Sequence, residues 1–172
     1  MMNMRLHLRR TIQNGEPVRL DGNVPVERSI EGRTDVISAS PFQADLTAYP
    51  SLDGMVEVRG TLTGHLDMVC SRCLEPAHVD LHIPFEERFK EREEGEEDLE
   101  DEEDFIFSDE DAVELSPYLE EYVTLGIPAA PLCKEDCKGL CQTCGTNLNE
   151  TACGCDNTVI DPRLAGLKDF FK

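Results

Sequence analysis

Residues 55–85 read MVEVRGTLTGHLDMVCSRCLEPAHVDLHIPF, and their alternation decides the fold. Val56, Val58, Leu62, Leu66, Met68 and Cys70 share one phase, which also contains Gly60 and Gly64. Glu57, Arg59, Thr61, Thr63, His65 and Asp67 share the other. Successive side chains of a strand point to opposite faces, so this period predicts one long strand buried on one side. The two glycines are expected to mark bends or bulges in it. After the tip CSRCLEP the pattern resumes, with Val79, Leu81, Ile83 and Phe85 against His78, Asp80 and His82. Two such runs joined by a short tip predict an antiparallel hairpin carrying Cys70 and Cys73 at its end.

Upstream of the hairpin the signals are shorter. Met4, Leu6 and Leu8 alternate with Arg5, His7 and Arg9, which reads as a strand from Met4 to Arg9. Val18–Leu20 and Phe42–Tyr49 are further strands between Asn, Gly and Pro punctuation. Downstream, residues 91–104 read EREEGEEDLEDEED, and mutual repulsion with almost no apolar residue predicts a disordered, solvated linker. Ser116-Pro117 then reads as an N-cap followed by proline at the first helical position. Leu119, Tyr122 and Val123 supply helical spacing, and Gly126 with Pro128 ends the helix. Asp161-Pro162 repeats the start signal, so a short helix burying Leu164, Leu167 and Phe171 is expected.

Between Pro131 and Asp156 the chain reads PLCKEDCKGLCQTCGTNLNETACGCD, with six of its eight cysteines. Cys141-Gln-Thr-Cys144-Gly145 has the form of a zinc knuckle. Two thiolates at this spacing converge on one ion, backbone amides donate to sulfur, and the glycine lets the turn close. Cys70-Ser-Arg-Cys73 is a second pair at a turn. Eight thiols allow two tetrahedral four-cysteine zinc sites, or one site with spares held as small buried hydrophobes. The preferred partition joins Cys141 and Cys144 to Cys153 and Cys155, and Cys70 and Cys73 to Cys133 and Cys137; spacing alone leaves the partition open. One or two zinc ions are therefore expected. Redox catalysis is the rival use of such pairs, but a thioredoxin-like pair opens a helix, whereas Cys73 is followed by Leu-Glu-Pro and a strand.

The composition excludes several classes. The net charge is −20 over 172 residues, yet Glu86–Glu114 alone holds seventeen of the 36 acidic residues and three of the 16 basic ones, a net of −14. A protein that clasps RNA broadly carries a basic footprint, and none is visible. No apolar run follows Arg5, Arg9 and Arg10, so no secretory signal is expected. No stretch is apolar enough to span a membrane, and the cytoplasm is the expected compartment. There is no phosphate-cradling glycine loop, nucleophile elbow or helical histidine pair, and His7, His65, His78 and His82 fall on the polar side of strands. No catalytic residue, small-molecule substrate or organic cofactor is expected.

These residues also carry a resemblance. Gly60-x-Leu62 leading into Cys70-Ser-Arg-Cys-Leu-Glu-Pro76 is followed by the acidic middle and by Leu115 to Pro131. Then come Leu132-Cys133 through Cys144-Gly-x-Asn147-Leu-Asn149 to Cys153-x-Cys155, and Asp161-Pro-Arg-Leu-Ala165. In this order they resemble the YceD family, over most of the chain from about Gly60 onward. The resemblance implies a role in accumulation or processing of 23S ribosomal RNA, and hence in large-subunit assembly. It implies as partner a precursor of the large ribosomal subunit; the acidity of Glu86–Glu114 favours reaching it through a basic ribosomal protein, with direct RNA contact as the rival route. It implies no catalytic residues. The alternative from a different class is a zinc-released redox switch or holdase chaperone.

The expected architecture is α+β. A β-rich domain over residues 1–90 carries the hairpin, an acidic linker spans 91–114, and a helix with a cysteine-rich zinc module occupies 115–172.

Overall fold

The computed structural model describes residues 4–92, 105–156 and Arg163. The strands are β1 (Arg5–His7), β2 (Val18–Val24), β3 (Val36–Ala39), β4 (Phe42–Pro50), β5 (Met55–Val69), β6 (Pro76–Glu91), β7 (Ile106–Ser108) and β8 (Ala112–Glu114). Among the described residues two helices accompany them, α1 (Leu8–Asn14) and α2 (Ser116–Gly126). The fold is α+β and strand-rich, as the alternation predicts. Contacts divide the chain into two units, one of residues up to 68 with 78–129, the other of 69–77 with the chain from 130 onward.

In the first unit, β5 is the organising strand. The sheet runs β2-β4-β5-β6-β7, and β3 also pairs with β5. One edge of β5 is shared: its first half pairs antiparallel with β4, from Val56 opposite Pro50 to Thr63 opposite Gln43, and its second half with β3, from Leu66 to Met68. The chain changes over at Ser40-Pro41, where proline has no N–H to offer. There the Ser40 hydroxyl accepts from the His65 N–H at 3.1 Å, keeping the ladder satisfied across the break. Val56, Val58, Leu62, Leu66 and Met68 are fully buried, and the opposite phase, including Thr61 and His65, lies outward.

The glycines of β5 answer a different need from the one expected. Gly60 sits opposite Leu46 in eight consecutive pairs without a register shift. A Cβ there would stand 2.1 Å from the Asp45 carbonyl oxygen and 2.7 Å from Leu46 Cα. Gly60 therefore lets the β4 backbone approach closely; it does not bulge the strand. The irregularity in this part of the sheet lies between Val36 and Ser38 of β3.

Three further differences have physical causes. The expected strand from Met4 to Arg9 ends at His7, and α1 begins at Leu8. Asp111, far along the chain, accepts the Leu8 N–H on its carbonyl and the Arg9 N–H on its carboxylate at 2.8 Å, supplying a helix cap that no local residue provides. Leu8 and Thr11 face the core from this helix, so the apolar phase of Met4, Leu6 and Leu8 is buried either way. Second, the ends of the acidic stretch are structured. β6 continues to Glu91, β7 lies parallel to it with Phe89 opposite Ile106, and β8 pairs with β1, Val113 opposite Leu6. The apolar Phe105-Ile106-Phe107 and Val113 outweigh the charges around them; residues 93–104 lie outside the described ones. Third, α2 starts one residue early, capped at Leu115, while the Ser116 hydroxyl turns to the Glu114 carboxylate at 2.7 Å.

The helix α2 belongs to the first unit. Leu119 and Val123 are fully buried, Tyr122 packs 4.6 Å from Phe85, and Tyr118 packs 5.3 Å from Phe89. The Tyr122 hydroxyl donates to the Glu87 carboxylate at 2.8 Å, and burial first, then that partner, push its pKa up to about 12. No helix among the described residues is long and apolar enough to cross a membrane. The helix expected after Asp161-Pro162 lies outside the described residues.

The face assignment is testable. Leu62→Asp places a charge in the core and should destabilise the fold by about 4 kcal/mol in denaturant titrations. Thr61→Lys, on the outer face opposite Asp45, should change stability by less than about 0.5 kcal/mol. Equal losses would mean that the face assignment is wrong.

Candidate metal centre

The second unit is built around sulfur. Its two knuckles form the same turn from different sequences. In the hairpin tip, the Cys70 N–H donates to the Glu75 carbonyl at 2.8 Å, and the Leu74 N–H donates to the Cys70 carbonyl at 3.0 Å. In the other, the Cys141 N–H donates to the Thr146 carbonyl at 2.8 Å, and the Gly145 N–H to the Cys141 carbonyl at 2.9 Å. The residue after the second cysteine takes a left-handed conformation in both, φ 63° at Leu74 and 74° at Gly145.

The tip is held between two stretches of the same unit. The Ser71 N–H donates to the Pro131 carbonyl at 2.8 Å, and the Arg72 carbonyl accepts from the Leu140 N–H at 3.0 Å. The Arg72 guanidinium donates to the Cys137 carbonyl at 2.9 Å. Gly139, with φ 75°, lies against this contact, where a Cβ would stand 3.0 Å from the Arg72 carbonyl oxygen.

These bonds gather the eight sulfurs into two sets of four, Cys70, Cys73, Cys133 and Cys137 in one, Cys141, Cys144, Cys153 and Cys155 in the other. Within each set all sulfurs lie within 4.8 Å of one another. The Cys70–Cys137 and Cys73–Cys133 sulfur distances are 3.8 and 3.5 Å. Four sulfurs about 2.3 Å from a tetrahedrally bound zinc stand about 3.8 Å apart, whereas a disulfide needs about 2.05 Å. All eight cysteines are free thiols. The first set is the more enclosed, with Cys70, Cys73 and Cys137 buried; in the second, Cys141 is buried and Cys144 exposed.

Each set splits electrostatically. Burial opposes ionisation of Cys70, but the N–H groups of Cys73, Arg72 and Cys133 outweigh it and bring the pKa down to about 6. The N–H groups of Cys144 and Thr143, with a thiol contact from Cys153, bring Cys141 to about 6. The side-chain amide of Asn149 lowers Cys137, and the Thr146 hydroxyl lowers Cys144. Against them, Cys133 is pushed up to about 12 by its bond to Cys73 and by burial, and Cys155 to about 12 by its bond to Cys144 and by burial. A thiolate formed first makes its neighbour harder to ionise. Four thiolates this close need a cation's countercharge, so each set can hold a metal ion.

A family model described as "Large ribosomal RNA subunit accumulation protein YceD" matches residues 58–171. The chain belongs to the YceD family. An uncharacterized protein of Mycobacterium tuberculosis is 30% identical over 123 residues, covering 72% of this chain and 58% of that protein. An uncharacterized protein of Mycobacterium leprae is 29% identical over 130 residues, covering 76% of this chain and 59% of that one. The YceD chain thus spans less than two thirds of the length of these mycobacterial relatives. A maize protein named large ribosomal RNA subunit accumulation protein YCED homolog 1, chloroplastic, is 38% identical over 61 residues, covering 35% of this chain and 20% of the maize protein. No solved structure matches.

The residues that support the sulfurs were not singled out from spacing. Asn149 and Thr146 reach Cys137 and Cys144 from a loop that sequence analysis used only as part of the family resemblance. Asn and Thr between two cysteine pairs were the available signal, since their short side chains reach nearby backbone and sulfur. His7, His65, His78 and His82 are exposed, as expected, and His78 instead pairs with Asp67 at 2.8 Å.

Leu74 offers a test of the shared turn. It is 64% exposed and holds a conformation that suits glycine. Leu74→Gly should raise stability by about 1 kcal/mol, and Gly145→Leu should lower it by at least as much, both read from thermal unfolding. A loss on Leu74→Gly would mean that its side chain supports the fold.

Proposed function

We infer that this YceD-family protein is a non-enzymatic factor for accumulation of large-subunit ribosomal RNA, stapled by two zinc ions and working through a basic protein partner. The two four-sulfur sets carry the zinc reading. Zinc suits tetrahedral thiolate sites with no open position, and such structural sites supply folding free energy directly. The residues that would hold the ions are Cys70, Cys73, Cys133 and Cys137 in one centre and Cys141, Cys144, Cys153 and Cys155 in the other. The family description and the maize protein's name support the ribosomal reading.

Charge supports a protein partner over RNA. Of the arginines that could form an RNA patch, Arg5 pairs with Glu114, Arg9 with Glu91, and Arg59 with Glu57 and Glu86. Arg72 is engaged with the Cys137 carbonyl. Meanwhile residues 93–104 are ten acidic residues with Gly95 and Leu99. Such a tract repels phosphate and attracts a basic surface, setting association rate and salt sensitivity.

Elemental analysis of protein prepared under reducing conditions should find two zinc ions per chain; none, or native disulfides, would overturn the zinc reading. The pH dependence has a definite sign. Thiols with raised pKa, Cys133 and Cys155 foremost, must release protons when metal binds, so affinity falls as pH falls. With two protons released per ion, it should drop about a hundredfold per pH unit in competition against a chelator of known affinity.

The partner reading is tested by replacing residues 93–104 with a neutral Gly/Ser segment of equal length. That change should abolish salt-sensitive capture of basic ribosomal proteins and lower the cellular level of large-subunit RNA. If it leaves both intact while Arg10→Glu abolishes RNA binding, the protein acts on RNA directly.

A further inference from the structure

The loop of residues 145–152 joins the two ligand pairs of the second sulfur set, yet one of its side chains reaches the first. Asn149 Nδ2 donates to Cys137 Sγ at 3.4 Å and to Asn147 Oδ1 at 2.9 Å. Its Oδ1 accepts from the Lys138 N–H at 2.9 Å, and its backbone N–H donates to Asn147 Oδ1 at 3.1 Å. Every polar group of this side chain is thereby spent on one geometry, with the amide aimed at a sulfur.

The loop is also laced to the short stretch between the sets. Leu148 N–H donates to the Gly139 carbonyl at 2.9 Å, and Leu140 bridges to Asn147. Residues 137–141 begin with a sulfur of one set and end with a sulfur of the other. The 145–152 loop is anchored at one end by Cys144 and at the other by Cys153, both in the second set.

We propose that Asn149 is a positioning residue for the Cys70–Cys73–Cys133–Cys137 centre and couples the two centres, so that metal at the second strengthens metal binding at the first. This rests on the reading that both sets bind metal. An ion at the second set pins both ends of the loop and so holds the Asn149 amide on Cys137. An N–H aimed at a ligating thiolate stabilises its negative charge and fixes its direction, and loss of such a partner typically costs about 10- to 100-fold in metal affinity. Linkage makes the effect reciprocal: metal at the first centre strengthens binding at the second by the same factor.

Anaerobic titration of the full chain with cobalt(II), followed by thiolate-to-cobalt absorption and chelator competition, tests this. Wild-type protein should take up two ions. Asn149→Asp keeps an acceptor for the Lys138 N–H but sets a carboxylate oxygen against Cys137 Sγ; Asn149→Ala removes the group. Both should still bind two ions, with one affinity lowered about tenfold or more and the matching absorption shifted to longer wavelength, because the sulfur loses its donor. In a Cys70→Ser/Cys73→Ser background, Asn149→Asp should leave the remaining centre's intrinsic affinity unchanged. In a Cys153→Ser/Cys155→Ser background, the remaining centre should be weakened as in Asn149→Ala, and adding Asn149→Ala should cost little more.

Wild-type affinity and spectrum in Asn149→Asp would overturn the positioning role. Full additivity of Asn149→Ala with Cys153→Ser/Cys155→Ser would overturn the coupling. Failure of the wild-type chain to bind cobalt or zinc would instead remove the metal reading, and this proposal with it.

Discussion

A strand buried on one side and paired on both edges has almost no freedom, and β5 is in that position. β4 and β3 share one of its edges and β6 takes the other. Its side chains Val56, Val58, Leu62, Leu66 and Met68 lie in the core at zero exposure. A one-residue slip would send that whole phase to solvent, so register is strongly specified. The close approach at Gly60 adds a steric requirement, since only a residue without Cβ lets the β4 backbone stand where it does. The inward residues of β6 and the face of α2 pack into the same core.

Strand and sulfur cluster are joined covalently here. β5 ends at Val69, and the next residue, Cys70, is a fully buried sulfur of the second unit. The tip 69–77 is grouped by its contacts with the chain beyond 130. The second unit thus contains a returning piece of the first unit's hairpin. Its apolar cluster is small, with Cys70, Cys73, Ala77 and Cys137 at the centre and Leu132, Cys133 and Leu140 against it. So small a cluster supplies little burial energy, which is the usual circumstance in which a domain relies on a staple. Eight reduced thiols in two close sets are the chemistry available for one.

Period-two alternation made the hairpin legible from Met55 to Phe85, because the face of a strand is a local property of spacing. The helix at Ser116–Gly126 was legible from proline, spacing and terminal glycine, with only its cap displaced by one residue. The preferred partition of cysteines matches the two observed sets. The reason is chain geometry: Cys141 and Cys144 lie close in sequence to Cys153 and Cys155, and a hairpin tip can close on the remaining pair.

Other features depended on residues remote in sequence. α1 forms at Leu8 because Asp111 caps it, accepting from the Arg9 N–H 102 residues away. β7 and β8 pair with β6 and β1 although acidic neighbours dominate that stretch. Asn149 reaches Cys137 because the loop folds back over residues 138–140. Alternation, helix spacing and the pairing of cysteines at knuckle spacing are written in neighbouring residues. Which distant donor meets which acceptor depends on the chain returning to the same place, and spacing along the sequence carries no record of that return.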